Sequence, residues 1–229
     1  MTVTLTHYSE NPVASIEEAA SNCYNSKPSW DGKIMRSCIA SGHTSVTEFA
    51  TFTFHIEGVS RSLLAQITRH RVGVSFAVRS QRYCAENNFE YVIPPSIVKN
   101  EKAILEYKRL MNSIDVVYKE LQDYGVPNED ARMVLPNACY TSLEVSFNLR
   151  SLMHFMNERL CNRAQWEIRE LAKEMKEAVV ERFPELDDYL VPKCEAHKAY
   201  PFCTERQCCG KHPKIKDIYE NFNKTLDKN

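Results

Sequence analysis

Fixed charge of one sign is what this sequence most lacks. Its 229 residues carry 29 Lys and Arg against 30 Asp and Glu, a formal net charge of −1. A chain that binds nucleic acid along its length draws its affinity from phosphate neutralisation, so that class is disfavoured and any anion site has to be local. No apolar run reaches about 18 residues, so no membrane-spanning helix is expected. The opening "MTVTLTHYSE" has neither the basic nor the apolar region of a secretory leader. Glycine is scarce, six in all. None of the six completes G-x-G-x-x-G or G-x-x-x-x-G-K-[ST], which removes the Rossmann and P-loop ways of holding a phosphate. G-x-S-x-G is missing too, and no cysteine stands in a recognised nucleophile motif, so nucleophilic catalysis has no support. Internal repeats and low-complexity linkers are absent. The nine cysteines are odd in number, and Cys23, Cys38, Cys84, Cys139 and Cys161 are widely scattered, which reads as a reduced, cytoplasmic protein.

What is present reads as a single α+β domain over residues 1–191, with mixed or antiparallel strands and long helices, followed by a Cys/His-rich tail over 192–229. Alternation predicts strands at Val3–Tyr8, Phe49–Gly58 and Cys139–Leu149, and a short one at Phe89–Pro95. Helical periodicity predicts Ser15–Tyr24, Lys33–Ala40, Arg61–His70 with Ser60 as its cap, Glu101–Tyr124, Asn128–Leu135, Asn148–Leu160 and Ala164–Phe183. The residues from Val72 onward read as a loop. In "SGHTSVTEF", Thr44 or Ser45 reads as an N-cap, with Glu48 at capping-box spacing from Ser45.

Chemistry concentrates in "TRHRVGVSFAVRSQRY", Thr68–Tyr83. Gln66, Arg69 and His70 share a helix face if the helix reaches His70, and Arg71, Arg79 and Arg82 follow. Arginine holds phosphate oxygens with a rigid two-pronged fork, so converging arginines suit a phosphate or diphosphate. A solvated basic helix end accounts for the same pattern. Ser75 and Ser80 read as anion ligands rather than nucleophiles. In "NLRSLMHFMNER", Leu149, Leu152, Met153 and Met156 form an apolar stripe, with Arg150, His154 and Asn157 opposite. Arg159 falls beside Leu152 and Phe155, where it either holds a ligand or snorkels to solvent. In the tail, Cys194-x2-His197 and Cys208-x3-His212 have zinc-like spacings. No metal is assigned; Cys194, Cys203, Cys208 and Cys209 are candidates, and free thiols are the alternative.

Arg69-His70-Arg71, eight residues and then Ser80 resembles the signature of the flavin-dependent thymidylate synthases, the thymidylate-synthase-complementing proteins. "FTFHIEGVSR", "SQRY", "ARMVLP", "NLRSLMHFMNERL" and "AQWEI" resemble further family segments in family order. The resemblance implies methylation of deoxyuridine monophosphate (dUMP) to thymidine monophosphate (dTMP). FAD would be the cofactor, methylenetetrahydrofolate the carbon donor and NADPH the reductant. It also implies the family's own α+β fold and a homotetramer with active sites shared between subunits, without nucleic acid or membrane.

Carried over by position, His43, Ser45, Arg69, His70 and Arg71 are implied flavin contacts. So are Asn148, Arg150 and His154. Gln66, Arg69, Ser80, Gln81, Arg82 and Arg132 are implied nucleotide contacts, with Ser80 and Arg82 reaching a neighbouring subunit's site. Arg159 is the implied catalytic arginine, polarising the uracil. Val78 and Arg79 depart from the family, which often has an acidic or amide side chain at the first of them; backbone contacts there to flavin and nucleotide remain. His154 and Arg163 stand where relatives often have Asn and His. A nucleotide-binding regulator without turnover and an RNA-binding module are the alternatives.

Overall fold

A computed structural model describes residues 1–226, with side chains to residue 220. In chain order it has β1 (Thr2–Tyr8), α1 (Pro12–Cys23), α2 (Lys33–Ala40), a 3-10 turn (Thr44–Phe49), β2 (Thr51–Ser60), α3 (Arg61–Ile67) and β3 (Val74–Val78). There follow α4 (Pro95–Val98), α5 (Glu101–Asp123), α6 (Asn128–Ala131), a 3-10 turn (Arg132–Val134), β4 (Tyr140–Asn148), α7 (Leu149–Arg159) and α8 (Trp166–Arg182). Two further 3-10 turns (Pro184–Tyr189, Lys193–Glu195) precede α9 (Ile215–Leu226).

The strands form one sheet in the order β1-β2-β4-β3. Partners run in opposite directions: Leu149 N–H donates to Ala50 O and Arg61 N–H to Cys139 O, while Asn148 N–H donates to Gly73 O and Arg79 N–H to Ser142 O. The architecture is therefore the expected α+β one, with antiparallel pairing. The chain folds into two compact units, each assembled from separated segments, so it does not split into successive domains.

The first unit comprises Met1–Thr4, Phe54–Arg71 and Ser75–Ser146. Phe54 and Ile56 of β2 and Leu143 and Val145 of β4 alternate inward, and Leu63 and Ile67 of α3 join them in the core, all fully or nearly fully buried. Asn100 starts α5 by accepting from the N–H groups of Lys102 and Ala103, the first-turn donors that a helix leaves orphaned. A smaller apolar cluster gathers Phe89, Met111 and Cys139, flanked by Tyr91 and Tyr107.

The second unit comprises Leu5–Thr53, Val72–Val74 and the chain from Phe147 onward. Leu149, Leu152, Phe155 and Met156 of α7, with Ile168, Leu171, Met175 and Val179 of α8, are wholly buried. The carboxylate of Glu17 is buried as well. It accepts from Ser29 Oγ at 2.9 Å and from the N–H of Ile34 at 3.1 Å, and also from the N–H of Trp30. A buried carboxylate needs such donors, and these three tie the 24–32 loop to the start of α2.

Several sequence expectations are corrected. α3 ends at Ile67, not His70: the N–H of Thr68 still closes on Leu64 O at 3.0 Å, but that of His70 turns to Ile67 O at 3.1 Å in a tighter turn. Gln66, Arg69 and His70 therefore do not share a helix face. The segment after Gly73 is a strand, not a loop: Val74, Phe76 and Val78 are half-buried and alternate with exposed Ser75 and Ala77. Phe89–Pro95 makes only an isolated bridge from Tyr91 to Cys139, since Pro94 and Pro95 cannot donate to a ladder. Asn128–Leu135 breaks into α6 and a 3-10 turn. At Thr44–Phe49 neither Thr44 nor Ser45 caps; His43 holds the cap position with no side-chain bond. Glu48 pairs instead with Arg150. On α7 the buried stripe takes Phe155 in place of Met153.

Candidate functional site

In the first unit, the Arg69-His70-Arg71 motif sits on the irregular turn that leaves α3. His70 is buried, while Arg69 and Arg71 are exposed. Neither arginine pairs with a carboxylate among the described residues. Gln66 is half-buried, one residue before α3 ends.

Beyond β3, Arg82 Nε donates to the Glu129 carboxylate at 2.6 Å, and Arg132 Nε donates to the Glu129 carbonyl at 3.1 Å. Two implied nucleotide contacts are thus drawn to one residue, which the sequence reading did not single out. The i, i+3 spacing of Glu129 and Arg132 was the available signal. Ser80 Oγ accepts from the N–H of Arg82 at 3.2 Å, fixing the turn between them. Gln81 is buried and donates to Cys139 Sγ at 3.5 Å.

Arg79 faces Glu86 across 3.4 Å. Glu86 is buried in fold terms, 7% exposed. Burial raises its pKa above the ordinary carboxylate value, against the opposing pull of Arg79 and Arg61. The Arg79 side chain is itself half-exposed, so its charge is largely screened and burial prevails. Burial, reinforced by Glu86, also pushes the Cys139 thiol up to about 11, which leaves it an inert apolar group. Arg79 and Glu86 border a cavity of about 400 Å³ with Glu57, Glu90 and Tyr140. In the same unit His55 contacts both Glu144, at 2.6 Å, and Glu57, at 3.2 Å; Glu57 first and Glu144 second raise its pKa.

In the second unit, Asn148 caps α7: its Oδ1 accepts from the N–H of Ser151 at 2.9 Å. Val72 and Gly73, the next residues in the chain after the Arg-His-Arg motif, dock on this helix start. Ser151 Oγ donates to Val72 O at 2.6 Å, and Asn148 N–H to Gly73 O at 3.0 Å. Gly73 has φ +64°, and a Cβ there would lie 2.3 Å from Asn148 Nδ2. Only glycine fits this position.

Arg150 Nη1 donates to Glu48 at 2.6 Å, which ties the first turn of α7 to the 3-10 turn carrying Ser45. His43, just before that turn, is exposed, as is Ser45. His154 stands one helical turn beyond Arg150 on the exposed side of α7.

Arg159 ends α7 and is half-buried. A cation suits this end of the helix dipole. It borders a cavity of about 210 Å³ completed by tail residues, among them Cys194, Cys203 and Cys209. The tail expectation is corrected in one respect. Donor atoms of Cys194, Glu195 and His212 lie within 4.8 Å of one another, whereas His197 stacks on Phe202 at 5.5 Å.

No helix among the described residues is long and apolar enough to cross a membrane.

The family described as "Thymidylate synthase complementing protein" matches residues 4–185. A flavin-dependent thymidylate synthase of Nitratidesulfovibrio vulgaris is 41% identical over 192 residues, covering 80% of this chain and 77% of the relative. One from Clostridium tetani is 36% identical, covering 95% of this chain and 96% of the relative. The crystal structure of thymidylate synthase X from Helicobacter pylori with FAD and dUMP superposes with a TM-score of 0.64 at 25% identity, covering 83% of this chain and 99% of that one.

Proposed function

Because the chain belongs to the thymidylate synthase complementing protein family, the flavin-dependent thymidylate synthases, we propose that it methylates dUMP to dTMP with FAD as resident cofactor, methylenetetrahydrofolate as carbon donor and NADPH as reductant. The observation that carries the reading furthest is the state of Arg69 and Arg71. Both are exposed, and neither is neutralised by a carboxylate among the described residues. Two unneutralised guanidinium groups fit the diphosphate of FAD, which needs planar, bidentate donors in a chain without a glycine-rich phosphate loop.

FAD would be held by Arg69, His70 and Arg71, with a backbone contact at Val78. His43, Ser45, Asn148, Arg150 and His154 supply the remaining contacts. When bound and reduced by NADPH, FAD would supply the two electrons that complete the methyl group, so that folate would leave as tetrahydrofolate. The residues around it would orient the ring.

The nucleotide is assigned to Gln66, Arg69, Val78, Arg79, Ser80, Gln81, Arg82 and Arg132. Exposed ion pairs are worth about 0–1 kcal/mol, so a dUMP phosphate displaces Glu129 from Arg82 at little cost. Arg159 is the catalytic arginine. Its permanent positive charge, placed at the uracil, stabilises the anion left when N3 loses its proton. Ser80 and Arg82 act in a neighbouring subunit's site within a homotetramer. The catalytic domain spans 1–191 and 192–229 is an appendage; the family match ending at 185 supports that boundary. The nine free cysteines support a reducing, cytoplasmic setting.

The test is reconstitution. The purified chain should take up FAD stoichiometrically and release tritium from 5-tritiated dUMP when methylenetetrahydrofolate and NADPH are added. Flavin uptake without tritium release would leave a nucleotide-binding regulator as the better description.

A further inference from the structure

Arg79 and Glu86 stand at the two ends of the loop that carries Ser80, Gln81 and Arg82. Arg79 follows β3 directly, and its backbone is fixed on both sides. Its N–H donates to Ser142 O of β4 at 3.0 Å, and its carbonyl accepts from Arg61 Nη1 of α3 at 3.2 Å. Glu86 is anchored to α5, where its N–H donates to the hydroxyl of the wholly buried Tyr118 at 3.2 Å. Across the neck of the loop, the Arg79 guanidinium faces the Glu86 carboxylate at 3.4 Å.

Between those ends the chain is thinly held. Arg82, Tyr83, Cys84 and Ala85 are exposed. Inside the loop, Cys84 N–H closes on Ser80 O at 3.0 Å and Arg82 N–H on Ser80 Oγ at 3.2 Å. Outward, Gln81 reaches Cys139 Sγ at 3.5 Å and Arg82 meets Glu129.

The two carboxylates that hold arginines here differ in kind. Glu129 is half-exposed and can swing into water, whereas Glu86 is 7% exposed and cannot. Arg82 can therefore be released to a phosphate, and Arg79 cannot. Nor does stability account for the buried pair. Burial penalises ionised Glu86 more than Arg79 and Arg61 favour it, so a neutral side chain at 86 would cost the fold less. A carboxylate kept under those conditions points to a task outside stability.

We propose that Glu86 is a positioning residue for the nucleotide: with Arg79 it clasps the neck of the loop that presents Ser80, Gln81 and Arg82, and it keeps the Arg79 side chain off the phosphate. The proposal rests on the assignment of that loop to dUMP. Arg79 then meets the nucleotide through its backbone alone, which gives its departure from the family pattern a purpose. A loop held at its neck loses less freedom when it closes on a ligand, so the clasp favours binding without touching the ligand.

The test uses the purified full-length chain with Glu86→Gln, Arg79→Gln and the double variant. Amide hydrogen exchange over residues 80–86, followed by mass spectrometry, should be about threefold to fivefold faster in each variant, and unchanged over α7 and α8. KM for dUMP should rise about threefold to fivefold in either single variant. The double variant should show no further rise, because both changes remove one contact. In Glu86→Gln, kcat and flavin content should hold. If Arg79 grips the phosphate instead, Glu86→Gln frees it and lowers KM while Arg79→Gln raises it. That opposition would overturn the proposal, as would unchanged exchange in both variants or faster exchange throughout the chain, which is general loss of packing. Faster loop exchange in a chain that binds no dUMP would refute the nucleotide assignment, and the positioning role with it.

Discussion

Gly73→Ala tests how tightly the start of α7 is built. At φ +64°, alanine costs about 1 kcal/mol from backbone strain alone. Its Cβ would also lie 2.3 Å from Asn148 Nδ2 and 2.5 Å from Ser151 Oγ, distances that side chains do not tolerate. Both neighbours must turn away. Losing the Asn148 cap costs about 1 kcal/mol, and losing the Ser151 to Val72 bond about 1 kcal/mol more. The total expected is about 3 kcal/mol, a large share of a typical domain's stability. Gly125→Ala is the internal control: its φ is +83° and nothing lies within 4 Å, so only the strain of about 1 kcal/mol applies. Urea unfolding followed by tryptophan fluorescence measures both. Equal destabilisation in the two variants would refute the steric argument. FAD uptake by folded Gly73→Ala should also fall, because Asn148 is among the proposed flavin contacts.

Arg159→Lys keeps the charge but loses the planar fork. Turnover should drop about tenfold or more while flavin content holds, and unchanged turnover would remove Arg159 from the chemistry. Glu17→Ala leaves the N–H groups of Trp30 and Ile34 without their buried acceptor, so unfolding by urea should show a loss of about 3 kcal/mol; a change under about 0.5 kcal/mol would mean water replaces the carboxylate. Glu86 has a folded pKa above its ordinary value of 4.5. Its favourable contribution is therefore present below the unfolded pKa and lost as pH rises through the folded pKa. Relative to Glu86→Gln, the wild-type protein should lose stability from pH 4.5 upward, and a gain over that range would reverse the assignment.

Much of the fold was legible because period and punctuation agreed. Lys33–Ala40 was bounded as expected, and Ser60 caps α3 as its position suggested. The failures have local causes. β3 was obscured by Gly73 and its small polar neighbours, although Val74, Phe76 and Val78 alternate. The capping-box spacing at Ser45 was misleading because Glu48 has a stronger partner in Arg150, 102 residues away. Arg82 and Arg132 were singled out for the site; the i, i+3 spacing offered Glu129 as a neighbour of Arg132, but its pairing with Arg82, 47 residues away, needs the folded chain. The tail was half legible. Cys194, Cys203, Cys209 and His212 stood out, but that His212 rather than His197 meets Cys194, and that Cys161 borders the same cavity, is set by tertiary folding, which no spacing rule reports.

The central claim is that unneutralised arginines in a chain without a glycine loop hold FAD for thymidylate formation. Its most direct test is a single reaction mixture of purified chain, FAD, 5-tritiated dUMP, methylenetetrahydrofolate and NADPH, without added dihydrofolate reductase. Tritium release with matching dTMP and tetrahydrofolate is the expected result. Dihydrofolate as the folate product, or no release from a flavin-loaded protein, would contradict the account.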